Sequence, residues 1–434
     1  MKSIDNLTRL NASSQAPNDG QMGEKWPKRK KTILQINVTA NWGSTGKIAE
    51  QIGLKAMDAG WESYIAYGRM MKPSKSHLIE IGSKLGVYVH YTLGHFFDME
   101  GLSSRRATKK LISKIGRIKP AIIHLHNIHD HYLNYPLLFE YLSTCEIPIV
   151  WTQHDQWSTT GGCFYTPDSC EKWKIGCYDC PLKGRWSPDN SKRNYALKKR
   201  YFSKPSDVTI VSVSGWMRLE VEQSFLGSYN SLVINNGVDT AVFKPKECHS
   251  DKYSFDNKRV LLGVAHPWSE RKGLKDYIAL SRMLPADCII VLVGMSEIQR
   301  KGLPKNIKGL GVTRSVEELV ALYNRADIVL NLSYAETFGL TTVEGFACGT
   351  PGIVYNRTAS PELITPETGV VVEAGNIEGV AQAILEILKK GKSYYSEACR
   401  KRAEMCYDKN KCFEKYVALY EQLYKKNNET SINT

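Results

Sequence analysis

The sequence predicts an α/β protein of two doubly wound domains that face each other across a cleft. Three observations predict it. Short β-branched apolar runs alternate with helical stretches, the pattern of parallel sheets covered on both faces. The alternation comes in two series, joined near residues 237–258. A length of 434 residues suits about two or three domains. The expected units are a flexible basic extension at 1–31, a first domain at 32–240, a second at 241–405, and a C-terminal helix and tail at 406–434.

The elements follow in order. Residues 1–31 are polar and end in KWPKRKK; a flexible tail and a membrane-surface patch both fit. TILQINVTA from Thr32 is the first strand, followed by a glycine turn and an amphipathic helix in NWGSTGKIAEQIGLKAMDAGW. ESYIAYG, 121–127, 147–153, 207–214 and 231–236 are further strands. The second series has strands at 259–265, 287–294, 327–333, 349–355 and 368–374, with a helix over 316–326. Aromatic residues at helical spacing make the stretch from about Ser393 to Lys426 helical.

With 42% hydrophobic and 24% charged residues, wholesale disorder is excluded. The net charge of +14 points to an anionic partner: nucleic acid, a phosphorylated small molecule or an anionic membrane face. No apolar run reaches the roughly 18–20 residues of a spanning helix, and the first thirty residues hold no signal-type stretch. A cytoplasmic protein is the expectation.

The most informative segment is SYAETFGLTTVEGFACGTPGIVY (333–355). Glu336 falls in the loop at the carboxyl end of a strand, where open α/β sheets bind ligands. Glu344 falls about one and a half turns into the helix that begins near Phe338 and Gly339. A helix N-terminus suits a phosphate, and a carboxylate deeper in the helix can accept from the two hydroxyls of a ribose. GVAHPWSERKGLKDY (263–277) places Arg271 and Lys272 at another strand end. There the pair suits a diphosphate, Arg271 as a fork and Lys272 as a point charge; a solvent-facing turn is the plainer alternative.

In the first domain, Gly43 and Gly46 mark the first strand-to-helix turn, which tight geometry alone would require. WTQHDQW puts His154 and Asp155 just after a strand, either in the core or in the cleft. His124, His126, His129 and His131 surround another strand end, as metal ligands, acceptor-cleft residues or structural groups. Cys163, Cys170, Cys177 and Cys180 have the spacing C-x6-C-x6-C-x2-C, whose last pair matches zinc ligands. Disulfides are disfavoured in the cytoplasm, and a loop over about 154–190 would need a cross-link to stay ordered. Either a structural zinc or four unligated thiols fits. Arg105, Arg106, Lys109, Lys110, Lys114 and Arg117 share one helix, as a membrane-docking face or a solvated one.

TANWGSTGKIAE, IIHLHNIH, WTQHDQW, the cysteine segment, NNGVDTAVFKP, SERKG and ETFGLTTVEGFACGTP together resemble glycosyltransferase family 4, over about residues 32–390. The likeness extends to bacterial enzymes of exopolysaccharide, lipopolysaccharide and colanic-acid type. It implies the GT-B fold of two Rossmann-like domains and a nucleotide-sugar donor, UDP- or GDP-linked, held by the second domain. It implies that Glu344 contacts the ribose, and that Glu336 with Phe338, Gly339, Leu340 and Thr341 holds sugar and diphosphate. Arg271 and Lys272 would bind the diphosphate oxygens. Gly43, Ser44 and Gly46 would lie over the diphosphate, and His154 would face the sugar. Many relatives have Gly-Arg after the first strand of the second domain; Ala265 and His266 stand there instead, so His266 is a weaker donor contact.

The resemblance further implies retention of anomeric configuration by front-face attack, with the leaving phosphate oxygen taking the acceptor proton. The acceptor would be a saccharide or a polyprenyl-diphosphate-linked saccharide; peripheral contact at the inner membrane is one of the two readings of the basic helix at 105–117. No Asp-x-Asp occurs in the sequence, so charge on the departing diphosphate is expected to be met by cations and a helix N-terminus, with no catalytic metal. A nicotinamide-dependent sugar dehydrogenase or epimerase would want a complete GxGxxG. A zinc-containing nucleic-acid-binding protein would leave the glutamate pair unexplained; no nucleic-acid partner is expected.

Overall fold

The computed structural model describes residues 30–167, 170–183, 188–246, 255 and 258–430. The extension before Lys30 lies outside them. The end of its basic run does not: Lys30 pairs with Glu62 and Lys31 with Glu421, each at 2.7 Å. These two lysines are ion-paired to the first domain, not part of a free tail.

The first domain contains β1 (Thr32–Asn37), α1 (Gly43–Asp58), β2 (Glu62–Tyr67), β3 (His77–Glu80), α2 (Lys84–Phe97), α3 (Arg105–Ile118) and β4 (Ile122–Leu125). It continues with α4 (Tyr135–Leu142), β5 (Ile149–Gln153), α5 (Ser191–Phe202), β6 (Val208–Ser212), α6 (Gly215–Glu222) and β7 (Asn230–Val233). Its sheet has the order β3-β2-β1-β4-β5-β6-β7, and every pairing is parallel. All six residues of β1 are buried, as a strand covered on both faces requires.

The second domain contains β8 (Arg259–Val264), α7 (Leu274–Ser281), β9 (Cys288–Val293), α8 (Glu297–Arg300), β10 (Ile307–Leu310) and α9 (Val316–Arg325). Then come β11 (Ile328–Asn331), α10 (Leu340–Ala347), β12 (Gly352–Tyr355), β13 (Gly369–Val372), α11 (Ile377–Lys390) and α12 (Lys392–Cys406). The parallel sheet runs β10-β9-β8-β11-β12-β13. Helix α9 starts where the Ser315 side chain accepts from the Glu318 N–H, with Glu317 and Glu318 in its positive first turn.

The last helix, α13 (Lys409–Thr430), returns to the first domain. Cys412, Phe413, Tyr416, Leu419, Tyr420 and Leu423 form a stripe at helical spacing and pack on Ile33, Ile48, Ile52 and Trp61. Each fully buried large side chain contributes about 1.5–3 kcal/mol, so α13 is a covering layer of the first sheet and not a tail. The chain thus crosses between domains twice. The crossings lie side by side: the Val238 N–H donates to the Tyr407 carbonyl at 2.8 Å, and the Lys409 N–H to that of Val238 at 2.9 Å. Elsewhere, Glu362 of the second domain accepts the N–H groups of Gly215 (2.9 Å) and Trp216 at the start of α6.

Candidate active site

The loops that leave β1 and β11 meet between the domains. Gly339 ends the second of them with φ +97°, and a Cβ there would sit 3.0 Å from the Leu363 side chain. Glycine alone takes this left-handed turn at no steric cost. Helix α10 therefore starts without a side-chain cap and without an acid in its first turn, which leaves its amide N–H groups open to an anion. Leu340 and Glu344 of α10 line a cavity of about 710 Å³ that Gly43, Ser44 and Lys47 of α1 close from the other domain. Helix α1 likewise has no side-chain cap and no acid in its first turn. Two helix N-termini thus flank one cavity.

Tyr323 donates its hydroxyl to Glu344 Oε2 at 2.8 Å. Burial pushes the Glu344 carboxyl up to about 7, against the Tyr323 hydrogen bond and the charge of Lys47, which pull it down.

Arg271 and Lys272 lie on a 3₁₀ turn, Glu270–Lys272, before Gly273. A Cβ on Gly273 would stand 2.1 Å from the Leu332 carbonyl oxygen, so only glycine lets this turn lie against the exit of β11. The close approach joins the two sequence motifs. Arg271 Nη1 donates to the Ala335 carbonyl at 2.7 Å, and Lys272 Nζ is ion-paired with Glu336, both side chains being largely buried. The Arg271 guanidinium also lies 4.2 Å from the ring centre of Tyr165, which belongs to the first domain.

On the first domain's side, a hydrogen-bond relay reaches His154. The Gln35 amide donates to the Ala49 carbonyl at 2.8 Å, which fixes its orientation. Gln35 Oε1 then accepts from His126 Nε2–H at 3.0 Å, and His126 Nδ1 accepts from His154 Nε2–H at 3.0 Å. The network assigns the tautomers and leaves His154 Nδ1 as a lone-pair acceptor. Burial lowers the His154 pKa to about 4, so the ring is neutral at pH 7. Thr337 donates its hydroxyl to the His154 carbonyl across the domain boundary at 2.9 Å. Burial opposes a charge on His129, yet Asp155 at 2.8 Å, aided by Asp130, pushes its pKa up to about 10. His124 is enclosed by Tyr420 and Thr152.

The structure therefore brings Gly43, Ser44, Leu340 and Glu344 to one cavity, and Arg271, Lys272 and Glu336 to one cluster. Thr337 ties His154 to the segment that joins them. Gly46 is buried against Thr39 and does not line the cavity. His266 Nδ1 lies 3.1 Å from the Gly294 carbonyl, which holds the ring on its own domain, away from that lining. Phe338 is buried with its ring edge-on to Tyr407 at 5.6 Å, so only its backbone is left for a ligand. Thr341 is partly exposed in the first turn of α10. Cys163, Cys170, Cys177 and Cys180 share a cavity of about 170 Å³ as free thiols. Among the described residues, Glu100, His129 and Asp130 have ligand atoms within 4.8 Å of one another; the four sulfurs are less tightly gathered. Sequence reasoning missed Lys47, Tyr165, Tyr323 and Thr337. Lys47, which follows directly on the glycine turn in GSTGK, was the one with a visible signal.

Two Rossmann-like sheets with a ligand-sized cleft between them have the GT-B architecture. Residues 245–405 match the family Glycosyl transferases group 1, and residues 55–242 match Glycosyltransferase Family 4. The chain belongs to these glycosyltransferases, which displaces the dehydrogenase and nucleic-acid-binding readings. WcaC of Escherichia coli (strain K12), described as a colanic acid biosynthesis glycosyl transferase, is 23% identical over 422 residues, covering 90% of this chain and all of the relative. Sucrose-phosphate synthase from Thermosynechococcus elongatus superposes with a TM-score of 0.69 at 17% identity, over 91% of this chain and 100% of its own. Anabaena Alr3699/HepE in complex with UDP gives 0.62 at 16% identity, over 90% and 100%.

Proposed function

We propose that the chain is a retaining glycosyltransferase that moves a sugar from a UDP- or GDP-sugar to a saccharide or lipid-linked saccharide in bacterial surface polysaccharide synthesis. The observation that carries this reading is the cavity of about 710 Å³ with Glu344 on one wall and Gly43, Ser44 and Lys47 on the other. The UDP complex of HepE and the colanic-acid relative support the donor and the pathway class.

In this reading the ribose hydroxyls donate to Glu344, and the diphosphate lies between the open helix N-termini. Arg271 and Lys272 meet the charge that grows on it, with Glu336 positioning Lys272 and contacting the sugar. The backbone of Phe338 to Leu340 and the partly exposed Thr341 face the sugar and diphosphate. The bond from C1 to the phosphate oxygen breaks as the acceptor oxygen attacks from the same face, and the acceptor proton passes to the departing oxygen. Neutral His154 positions the sugar through its Nδ1 lone pair and is not the base. The scheme draws its positive charge from side chains and peptide dipoles, so turnover is expected to persist in EDTA.

A lipid-linked acceptor requires approach to a membrane. Among the described residues, no helix is long and apolar enough to cross one. Helix α2 exposes Leu85, Tyr88, Phe96 and Phe97, and the cavity of about 1120 Å³ between α2 and α3 is rimmed by Arg105, Arg106, Lys110 and Lys114. We assign peripheral docking at an anionic leaflet to this pair. The donor assignment is tested by thermal shift with UDP, GDP and their sugars. One nucleotide should raise the melting temperature of the wild type clearly and of Glu344→Ala much less; equal shifts would remove Glu344 from the site.

A further inference from the structure

The segment from His154 to Asn190 has, among its described residues, two 3₁₀ turns, Trp157–Thr159 and Lys172–Lys174, as its regular structure. A connection of this length rarely holds a fixed shape unaided. Yet it must present Tyr165 to Arg271. Cys163, Cys170, Cys177 and Cys180 all line one small cavity inside it, and none is in a disulfide.

The surroundings of the four sulfurs suit thiolates bound to a cation. The Gly161 N–H donates to Cys177 Sγ at 3.1 Å, the kind of outer contact that orients a thiolate ligand. Lys172 Nζ binds the carbonyls of Tyr178 and Asp179 at 3.1 and 3.0 Å and so holds the tight turn between Cys177 and Cys180. The Cys180 N–H donates to Asp189 at 2.8 Å. Lys198, whose buried amine donates to the Trp157 carbonyl at 2.6 Å, interacts electrostatically with Cys163 and Cys177 as a counter-charge. A tetrathiolate around a divalent ion carries a net charge of about −2, and a buried cation offsets part of it.

We propose that Cys163, Cys170, Cys177 and Cys180 bind one zinc ion as a structural clasp that holds Tyr165 against Arg271. Binding exchanges the four thiol protons for one Zn²⁺ and changes no oxidation state. The sulfurs close from their present spacing to a tetrahedron with Zn–S of about 2.3 Å. The site is closed, with four protein ligands and no open position, so the ion shapes the loop and takes no part in transfer.

The test is elemental analysis of the full chain purified without a metal-chelating resin. About one zinc per chain is expected, and a mercurial titrated against the folded wild type should release it as four thiols react. Cys170→Ser and Cys180→Ser should lower the zinc content to less than about a tenth, while Cys145→Ser and Cys406→Ser leave it unchanged. The mercurial titration decides the question even if the ligand variants fail to fold. Folded protein without zinc whose four thiols react freely, or protein holding iron in its place, overturns the proposal. The second limb rests on the donor-site reading above: zinc removal and Tyr165→Ala should each raise the donor KM by about tenfold, with zinc content unaffected in the variant. A full zinc count with no KM change would keep the metal site and refute the coupling; a missing zinc would refute the clasp whatever the donor proves to be.

Discussion

The two domains share an architecture but place their polar groups differently. The first sheet carries Gln35, Asn37, His124, Thr152, Gln153 and Ser212 buried on its strands, whereas the buried positions of β8, β9 and β11 of the second are apolar except for Asn331. In the first domain the site grows out of the sheet itself, through the relay from Gln35 to His126 to His154. In the second, Arg271, Lys272 and Glu336 all stand on loops beyond the strand ends, over a core that only supports them. A buried relay fixes tautomers and orientation at the cost of desolvating each member. Loop cations held by the Ala335 carbonyl and by Glu336 are preorganised to meet charge that grows on a ligand during reaction.

The largest expected effect lies on the loop side. Lys272→Ala removes one of the two cations proposed to meet the departing diphosphate and leaves Glu336 without its partner. A loss of about 10²–10³-fold in kcat/KM is expected when measured on the folded fraction, together with a lowered melting temperature, because Glu336 is left as a largely buried carboxylate without its partner. A near-wild-type rate would move the charge-stabilising role elsewhere.

The next pair sets relay against core. Leu330→Ala, in the second sheet, should cost about 2–5 kcal/mol of stability and leave kcat per folded molecule unchanged. Gln35→Leu should cost about 1–3 kcal/mol and also lower kcat, because His126 loses the acceptor that sets its tautomer and His154 Nδ1 is no longer held as a lone pair. Denaturant melts with kinetics on the folded fraction separate the two; loss of stability alone in Gln35→Leu would make the relay purely structural.

This contrast also explains what the sequence made legible. The parallel sheets were readable because buried strands are continuous apolar runs, and the donor motif because its glutamates flank a strand-to-helix turn. β3 and β10 were not read as strands. Each has four residues at a sheet edge; β3 exposes His77 and Glu80, and β10 includes the exposed Lys308 and a glycine, so the apolar signal is diluted. α13 was legible as a helix, but its place on the first domain depends on where the chain crosses back. Lys47, Tyr165 and Thr337 act across the domain boundary, and no spacing in sequence encodes a contact made by two separately folded units.

A smaller effect should appear with pH, on the α10 side of the cavity. The Glu344 carboxyl, raised by burial from its ordinary 4.5 to about 7, accepts from both ribose hydroxyls most strongly when ionised. Nucleotide affinity should therefore fall by up to about tenfold for each pH unit below 7. The ligand-free protein should move the other way. Between about 4.5 and 7 the folded chain holds a proton that the unfolded chain has released, so this carboxyl lowers stability as pH rises through that window. Calorimetric titration of the nucleotide at several pH values reads the first sign and denaturant melts of the ligand-free protein the second, with Glu344→Gln as the flat control in both. A pH-independent affinity in the wild type would place the ribose elsewhere.

The smallest effect concerns the outer surfaces, where the domains differ again. Only His90 of α2 is buried, and Leu85, Tyr88, Phe96 and Phe97 stand exposed on it, while α3 beside it packs through Thr108, Leu111 and Ile115 with its basic residues facing solvent. Each basic residue near an anionic leaflet contributes about 1 kcal/mol at modest ionic strength. Arg106→Glu should thus weaken sedimentation with vesicles containing phosphatidylglycerol severalfold, and added salt should erase the difference. Phe96→Ser should weaken binding by an amount that salt does not erase, because its contribution is burial of apolar area. Binding insensitive to both substitutions would leave the α2–α3 surface without a membrane role and would reduce the contrast between the two domains to their interiors.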